Sequence, residues 1–395
     1  MAPVSIEFVN DLVDQRAGFR IRAEWGYVSA VLGGGHICQF VSNAHPDISP
    51  LWRPPWQTID PYCYRAGKDE AKFGPPPDGA LLSGILGHSL SFDHFGPPST
   101  EETGAGLSTH GEGPAALWKI HRQFGGERAG LEYGAVLPVS QIDFRRTVRI
   151  DPKRAVVYCE ERAQNLSAAD RPISWNEHVT VGPPFLTCNG TLVDMPATRA
   201  KAIDADYSNE MVIVPGACFA WPNAPTQSGG MHDLRETPDG RYCRYTAQLL
   251  DPALETAYIA VSSPSSGLML LYLFRRADFP WVGNWQERFY HENPPWAGKT
   301  FCRGIEFSST PFAIPKRETI TRGPLFDEAT FRWLPAKSES AARFLALLLE
   351  IPPDFRGVER VSLGGDVVRI YEYKTQRTIM QTVDASFLAG ASTQP

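Results

Sequence analysis

The amino-acid sequence predicts an all-β protein, built as a large antiparallel β-sandwich. Its 395 residues include 34 Gly, 34 Pro, 21 Phe, 13 Tyr and 10 Trp, and long amphipathic helical runs are scarce. Glycine and proline favour turns, and aromatic side chains favour strands. Alternating apolar and polar residues recur in runs such as 144–150, 155–160 and 256–262, with turn signals between them. This spacing is typical of antiparallel strands that bury one face.

The first part of the chain shows how these signals follow one another. Short strands are predicted at 4–9, 18–23, 27–32 and 36–40. The glycines at 33–35 predict a tight hairpin turn, because the Lys-Ser/Thr pair and the helix of a phosphate-binding loop do not follow them. Residues 46–77 are rich in Pro, Trp and Tyr and predict a long ordered loop packed by aromatic side chains. The composition has no break that marks a linker, so we expect a single domain over residues 1–389 and a loose tail at 390–395.

Charge and cysteine content narrow the range of partners. The formal net charge is −6 and the basic residues form no cluster, whereas a nucleic-acid partner would require a concentrated Lys/Arg footprint. The sequence has no apolar run of about 18 residues that could span a bilayer and no pattern of a secretory signal. We therefore expect a cytoplasmic monomer or homodimer without nucleic-acid or membrane partners. The seven cysteines occur singly, so neither a disulfide framework nor a zinc knuckle is predicted.

The stretch 173–185 places an ionisable residue, His178, inside a β-type run that ends at Gly182-Pro183-Pro184. Proline cannot donate to a sheet ladder, so the strand is expected to end there and to bring Glu177 and His178 near a rim of the sheet. At such a rim, the imidazole would be available as an acid or a base. The alternative is a half-buried histidine whose ring nitrogen bonds a backbone carbonyl.

Residues 84–114 contain a second group of side chains that can transfer protons or bind metal ions, namely His88, Asp93, His94, His110 and Glu112. The spacing of His88 and His94 is not a common metal-binding spacing, and His110-Gly-Glu112 lacks the remaining ligands of a cupin-type site. We therefore expect no catalytic metal there. The glycines on both sides of Glu112 indicate a backbone that a ligand or a neighbouring strand approaches closely.

Aromatic residues are concentrated in 279–296, where Trp281 and Trp285 occur beside Gln286. Aromatic faces next to hydrogen-bonding groups suit a sugar, whose C–H faces stack and whose hydroxyls need polar partners. A small aromatic core under a loop is the alternative. Glu306 follows within Gly304-Ile305-Glu306-Phe307. A carboxylate between apolar residues either faces solvent from an edge strand or lies inside as a functional acid or base.

Three of these segments, in chain order, resemble the aldose 1-epimerase (galactose mutarotase-like) superfamily. They are His110 in Ser-Thr-His-Gly-Glu-Gly, His178 in Trp-Asn-Glu-His-Val and Glu306 in Arg-Gly-Ile-Glu-Phe. The similarity extends over roughly residues 18–375. The usual Asn-His-x-Tyr-Phe-Asn motif of the family is represented by Asn176-Glu177-His178, with an inserted Glu. The resemblance implies a β-supersandwich that holds a small-molecule sugar and works without a cofactor.

The resemblance also implies a division of roles among the three residues. Glu306 matches the general base that removes the proton of the C1 hydroxyl, His178 the acid that protonates the ring oxygen, and His110 a second imidazole that holds a hydroxyl. The ring then opens, C1 rotates, and the ring closes as the other anomer. Further substrate-binding candidates, from their position and chemistry, are Trp281, Trp285, Gln286, Glu177, Glu112 and His88.

By the same resemblance, residues 338–351 are expected to form a strand although their composition favours a helix. Two functions compete with an epimerase. One is a carbohydrate-binding protein on the same fold without turnover, and the other is a carbohydrate lyase on a related supersandwich. A lyase would require groups that neutralise a uronate carboxylate, for which Arg275, Arg276 and Arg303 are the candidates.

Overall fold

A computed structural model describes residues 4–204 and 212–389, and strands dominate it. The described residues form the strands β1 (Ser5–Val13), β2 (Arg16–Ala23), β3 (Gly26–Val31), β4 (Ile37–Ser42), β5 (His88–Ser91), β6 (Lys119–Phe124), β7 (Gly130–Leu137), β8 (Ile142–Ile150), β9 (Val156–Asn165), β10 (Arg171–Ile173), β11 (Asn176–Val181), β12 (Leu192–Asp194), β13 (Ala197–Ala202), β14 (Cys218–Ala220), β15 (Asn223–Pro225), β16 (Met231–Asp233), β17 (Tyr242–Leu250), β18 (Thr256–Ser263), β19 (Leu268–Arg275), β20 (Trp281–Arg288), β21 (Phe301–Ser308), β22 (Arg332–Leu334), β23 (Glu339–Glu350), β24 (Val358–Gly364), β25 (Val367–Glu372) and β26 (Thr378–Thr382). The short α-helices are α1 (Glu70–Phe73), α2 (Asp78–Gly84), α3 (Thr100–Gly104), α4 (Lys316–Arg322) and α5 (Ser386–Ala389).

Two large antiparallel sheets form the body of the molecule. The first has eleven strands in the order β1-β2-β3-β4-β5-β11-β21-β20-β17-β13-β14, and the second has eight in the order β12-β18-β19-β23-β9-β8-β7-β6. A three-stranded sheet, β24-β25-β26, accompanies them. The predicted all-β antiparallel sandwich is therefore confirmed.

The core lies between these sheets because alternate side chains along each strand point to opposite faces. One apolar cluster joins the eleven-stranded sheet to the eight-stranded sheet, with residues such as Val179 and Phe307 from the first and Phe144 and Phe344 from the second. A second cluster packs the other face of the eight-stranded sheet against Val368 and Ile370 of β25. The outer face of the eleven-stranded sheet is left for loops, and these loops build the candidate site.

The expected strands of the first part of the chain are present as β1 to β4, and the triple glycine lies in the turn between β3 and β4. Within the segment 338–351, Glu339–Glu350 form β23, which confirms the prediction of a strand. Strand β23 pairs with β19 on one side and β9 on the other, so sheet hydrogen bonds and burial on both faces outweigh the helical propensity of its residues.

The long loop expected at 46–77 is largely irregular, but it ends in the four-residue helix α1. Its tryptophans Trp52 and Trp56 pack edge to face, with ring centroids 5.7 Å apart. None of the helices in the described part of the chain is long and apolar enough to cross a membrane. The tail expected at 390–395 lies outside the described residues.

Candidate active site

His178 and Glu306 face each other on the neighbouring strands β11 and β21. The register that pairs Glu177 with Phe307 and Thr180 with Gly304 puts His178 opposite Glu306. The Nε2 atom of His178 lies 3.3 Å from Oε1 of Glu306, and both side chains are buried. Cross-strand neighbours on one face of a sheet are close enough to interact directly. A sheet register thus joins two side chains that are far apart in the sequence.

Strand alternation divides the Asn176-Glu177-His178 segment between the two faces of the sheet. His178 points to the outer face, whereas Glu177 points into the core and contacts His88 and Arg146. The strand ends before Pro183 as expected, but His178 lies in the middle of β11, between β5 and β21. The expectation of a rim position is therefore wrong, because loops above the outer face of the sheet, and not the strand end, form the pocket.

His110 reaches the same place from the loop between α3 and β6. Its backbone has a φ of 67°, and the next residue, Gly111, has a φ of 79°. A Cβ atom on Gly111 would lie 2.4 Å from the carbonyl oxygen of Phe92, so this close turn requires glycine. The His110 ring stacks on Phe95 with centroids 5.2 Å apart, and it lies 5.2 Å from the ring of His178.

A backbone contact fixes the tautomer of His110. The N–H of Gly96 donates to Nδ1 of His110 over 3.0 Å. Because Nδ1 accepts a hydrogen bond, the neutral imidazole carries its proton on Nε2. The Nε2–H group is therefore available as a donor to a ligand.

Two glycines make room for the carboxyl group of Glu306. A Cβ atom on Gly304, two residues earlier in β21, would lie 2.5 Å from Oε1 of Glu306. A Cβ atom on Gly283 of β20 would lie 2.2 Å from the hydroxyl of Tyr245 and 3.1 Å from Oε2 of Glu306. Within the described residues, Oε2 is buried and has no hydrogen-bond partner. An orphaned buried oxygen at the base of a pocket is an open position for a ligand group.

Burial disfavours the charged form of all three ionisable groups, so it raises the pKa of the carboxyl group and lowers the pKa of each imidazole. Desolvation raises the pKa of Glu306 to about 8, and an interaction with Asn176 opposes this shift. Desolvation lowers the pKa of His178 to about 4 and holds the pKa of His110 well below its usual value. Near neutral pH, a proton therefore resides on the carboxyl group and both imidazoles are uncharged.

The three residues line one pocket of about 160 Å³. This volume is below the roughly 300 to 1,000 Å³ of pockets for drug-sized ligands, so the pocket suits a single small ring. Its other lining residues are Leu81, Leu82, Ile85, Phe95, Tyr245, Trp285, Trp296 and Ala313. The tryptophan rings continue behind the pocket, because Trp296 contacts both Trp285 and Trp56 edge to face. Trp285 and Trp296 of the aromatic segment line the pocket and pack against each other, with Trp56 behind them. Stacking of a sugar on these rings stays a prediction.

Glu177 and His88 belong to a buried polar network in the core, away from this pocket. Nε2 of His88 lies 2.8 Å from Oε2 of Glu177, and Nδ1 of His88 lies 3.1 Å from the hydroxyl of Tyr272. Arg146 donates to Glu177 over 3.1 Å and also bonds Glu161. The expectation that Glu177 and His88 contact a sugar must be corrected, because strand alternation turns both toward the second sheet.

Glu112, Gln286 and Trp281 also lie outside the pocket. Glu112 accepts hydrogen bonds from the backbone of Val139 and Ser140 and holds the turn between β7 and β8. Gln286 points to the opposite face from Trp285, where its side-chain oxygen accepts from Arg244. Trp281 is fully buried, and its indole N–H donates to the carbonyl of Ala329. Of the six substrate-binding candidates, the structure brings only Trp285 to the pocket.

Other parts of the pocket had no signal in the sequence. Leu81 and Leu82 come from α2, which follows the long aromatic loop, and Tyr245 comes from β17. The hydroxyl of Tyr245 donates to the carbonyl of Pro311, so this ring is held in place as a wall of the pocket. The histidines considered for a metal have separate surroundings, since His88 contacts Glu177, His94 contacts the carbonyl of Pro97, and His110 accepts from Gly96.

Solved structures share this fold. A candidate aldose 1-epimerase from Klebsiella pneumoniae subsp. pneumoniae aligns with a TM-score of 0.64 and 11% identity, covering 88% of this chain and 83% of that chain. An aldose epimerase homologue from C. elegans aligns with a TM-score of 0.56 and 13% identity, over 88% of this chain and 100% of the other. A galactose mutarotase-like protein from Clostridium acetobutylicum aligns with a TM-score of 0.55 and 12% identity, over 88% of this chain and 99% of the other. No protein-family model and no curated protein matches the sequence. The chain therefore has the galactose mutarotase-like sandwich fold.

Proposed function

We propose that this protein is an aldose 1-epimerase-like enzyme that interconverts the anomers of an uncharged sugar. The observation that carries the proposal is the pair of Glu306 and His178 at the base of one small pocket, with Nε2 and Oε1 3.3 Å apart. Anomer exchange requires one group that accepts the C1 hydroxyl proton and one that protonates the ring oxygen. These two oxygens are bonded to the same carbon, so adjacent side chains can serve both.

The chemistry needs only a proton shared by this pair. When the proton lies on His178, Glu306 is a carboxylate, and its Oε2 accepts the proton of the C1 hydroxyl. His178 gives its own proton to the ring oxygen, the bond from C1 to that oxygen breaks, and C1 becomes an aldehyde. After C1 rotates, the reverse transfers close the ring as the other anomer. The Nε2–H group of His110 holds a hydroxyl and keeps the ring in place.

The lining of the pocket favours a sugar without charge. None of the described lining residues is an arginine or a lysine, so a phosphate or a carboxylate would enter without a counter-charge. The arginines considered for a lyase have other partners. Arg303 donates to Asn284 and to backbone carbonyls on the opposite face of the sheet, Arg276 bonds Glu328, and Arg275 lies 3.9 Å from Asp278. A uronate lyase therefore has less support than an epimerase.

Replacing Glu306 with Gln tests the proposal against a carbohydrate-binding protein without turnover. Glutamine keeps the shape and the hydrogen bonding but cannot accept the proton. We expect the rate of anomer exchange, measured by NMR exchange spectroscopy on a panel of neutral aldoses, to fall by about 100-fold or more. Sugar affinity, measured by calorimetry, should change far less.

The matched control is Glu7→Gln on the edge strand β1, which should exchange anomers at the rate of the unchanged protein. An unchanged protein that binds a sugar from the panel without accelerating its exchange would favour the binding-protein alternative. Normal turnover by the Glu306→Gln variant would refute the assigned base.

A further inference from the structure

A group of side chains of metal-binding types lies beside the pocket, on the outer face of the eleven-stranded sheet that also carries Glu306. It consists of Cys243 on β17, Glu287 on β20 and His291 just after β20. The sheet register pairs Cys243 with Glu287 directly. The ligand atoms of the three side chains all lie within 4.8 Å of one another.

Local hydrogen bonds hold two of these side chains in fixed positions. Oε1 of Glu287 accepts from the backbone N–H groups of Tyr290 and His291, over 2.8 and 3.1 Å. Oε2 of Glu287 lies 2.7 Å from Nδ1 of His291. The turn after β20 thus folds the histidine back over its own strand and presents an imidazole nitrogen and a carboxylate oxygen side by side. This arrangement is independent of Glu306 and His178.

We propose that Cys243, Glu287 and His291 bind a divalent transition metal, with zinc as the preferred ion. A thiolate, an imidazole and a carboxylate are all zinc ligands, and a soft thiolate selects zinc over magnesium or calcium. Zinc bonds of about 2.0 to 2.3 Å place ligand atoms of a tetrahedron roughly 3.5 Å apart. The three atoms therefore need only small side-chain movements to reach this geometry.

The charges of the ligands match a divalent ion. The thiolate of Cys243 and the carboxylate of Glu287 together carry two negative charges, so the bound site has no net charge. This balance matters because Glu287 is fully buried, while the side chain of His291 is 41% exposed. Metal ions can therefore enter from the solvent side of His291, where water completes the coordination. Binding requires a deprotonated thiol, so it releases a proton.

The position of the site indicates a structural role. The ring of His291 lies 5.5 Å from the ring of Trp296, and Trp285 precedes Glu287 by two residues on the same face of β20. Both tryptophans line the pocket. Along β20, Trp285 lies between Glu287 and Gly283, and Gly283 is the residue that pairs with Glu306. The metal would therefore brace the aromatic wall without contacting the reacting atoms.

Metal titration of the chelator-treated full-length protein tests the inference. With Co²⁺ as the probe, we expect a thiolate-to-cobalt charge-transfer absorption that saturates at one ion per chain. Calorimetry with Zn²⁺ should give the same stoichiometry. Cys243→Ser should abolish the charge-transfer absorption, and His291→Ala should weaken Zn²⁺ binding by at least about 10-fold, since each removes one direct ligand.

The control is the double variant Cys63→Ser/Cys218→Ser, which removes the two exposed thiols elsewhere and should bind as the unchanged protein does. Because His291 is partly exposed, its replacement leaves the core intact, and circular dichroism verifies that the variant is folded. Absence of the cobalt absorption, its loss in the control, or unchanged Zn²⁺ affinity in His291→Ala would overturn the inference.

Discussion

Nε2 of His178 lies 3.3 Å from Oε1 of Glu306, and both groups are buried at the base of the pocket. Burial favours the neutral form of each, which raises the pKa of Glu306 to about 8 and lowers the pKa of His178 to about 4. Between these values the pair holds one proton. That proton is on Glu306 in the neutral pair and on His178 in the ion pair that the proposed reaction uses. The two states therefore differ only by transfer of one proton between the two side chains.

The pH dependence of anomer exchange follows from this proton count. Below about pH 4 a second proton binds and Glu306 no longer accepts one, while above about pH 8 the proton is lost and His178 has none to give. We therefore expect kcat/KM, after subtraction of the uncatalysed rate, to be highest between these limits and to fall on both sides. A rate that continues to rise well above pH 8 would show that Glu306 acts without a proton donor at His178.

The same pKa shift makes a prediction for stability. In the folded chain Glu306 keeps its proton up to about pH 8, whereas the unfolded chain loses it near the ordinary value of 4.5. The folded state then binds more protons, so the free energy of unfolding decreases as the pH rises between these values. Glu306→Gln lacks this dependence. We expect the free energy of unfolding of the variant, relative to that of the unchanged protein, to increase by several kcal/mol between pH 5 and pH 8.5, because one pKa unit corresponds to about 1.4 kcal/mol. Urea denaturation at each pH measures this difference. Parallel curves for the two proteins would contradict the raised pKa.

Strand alternation explains how much of the site could be predicted from the sequence. The three residues His110, His178 and Glu306 were found through the motifs around them, and the structure brings all three to one pocket. Neighbours in a strand point to opposite faces, so Glu177 cannot share a face with His178, nor Gln286 with Trp285. Because strand side chains alternate with a period of two residues, the sequence alone already implies that only one residue of each pair can line the pocket.

The remaining wall of the pocket could not be predicted from local patterns. Tyr245 reaches it because β17 pairs with β20, and Leu81 reaches it because the loop after β4 folds the short helix α2 over the sheet. Both placements depend on contacts between distant parts of the chain. The composition of β17 or of α2 carries no sign of them.

Gly283 offers a test of the space that Glu306 requires. A Cβ atom at this position would lie 2.2 Å from the hydroxyl of Tyr245, which is fixed by its hydrogen bond to Pro311. Gly283→Ala should therefore displace Tyr245 or Glu306. We expect anomer exchange to fall by about 100-fold, because a displacement of about 1 Å at a reacting group has that effect. The stability cost should be about 1 to 3 kcal/mol.

Gly104→Ala is the matched control for this variant, because a Cβ atom there meets nothing within 4 Å. It should leave the exchange rate unchanged and should not lower the unfolding midpoint, because alanine in an unstrained helical position loses less backbone entropy on folding than glycine. Full activity in Gly283→Ala would mean that the pocket relaxes around the added methyl group and that the position of Glu306 is not restricted by its neighbours.

The last prediction concerns the buried network that holds Glu177 and His88. Arg146 is fully buried and bonds Glu161, Glu177 and the carbonyl of Gly35. Arg146→Met would leave two carboxyl groups in the core without a counter-charge, so we expect a loss of about 3 to 5 kcal/mol in the free energy of unfolding at pH 8, measured with urea. The loss should be smaller at pH 5, because burial raises the pKa of Glu161 and protonation of this carboxyl group removes one of the uncompensated charges. The triple variant Arg146→Met/Glu161→Gln/Glu177→Gln removes all three charges and should recover most of the lost stability, since neutral replacement of a buried ion network is often tolerated. If Arg146→Met unfolds at the same urea concentration as the unchanged protein, the network does not contribute as its geometry indicates.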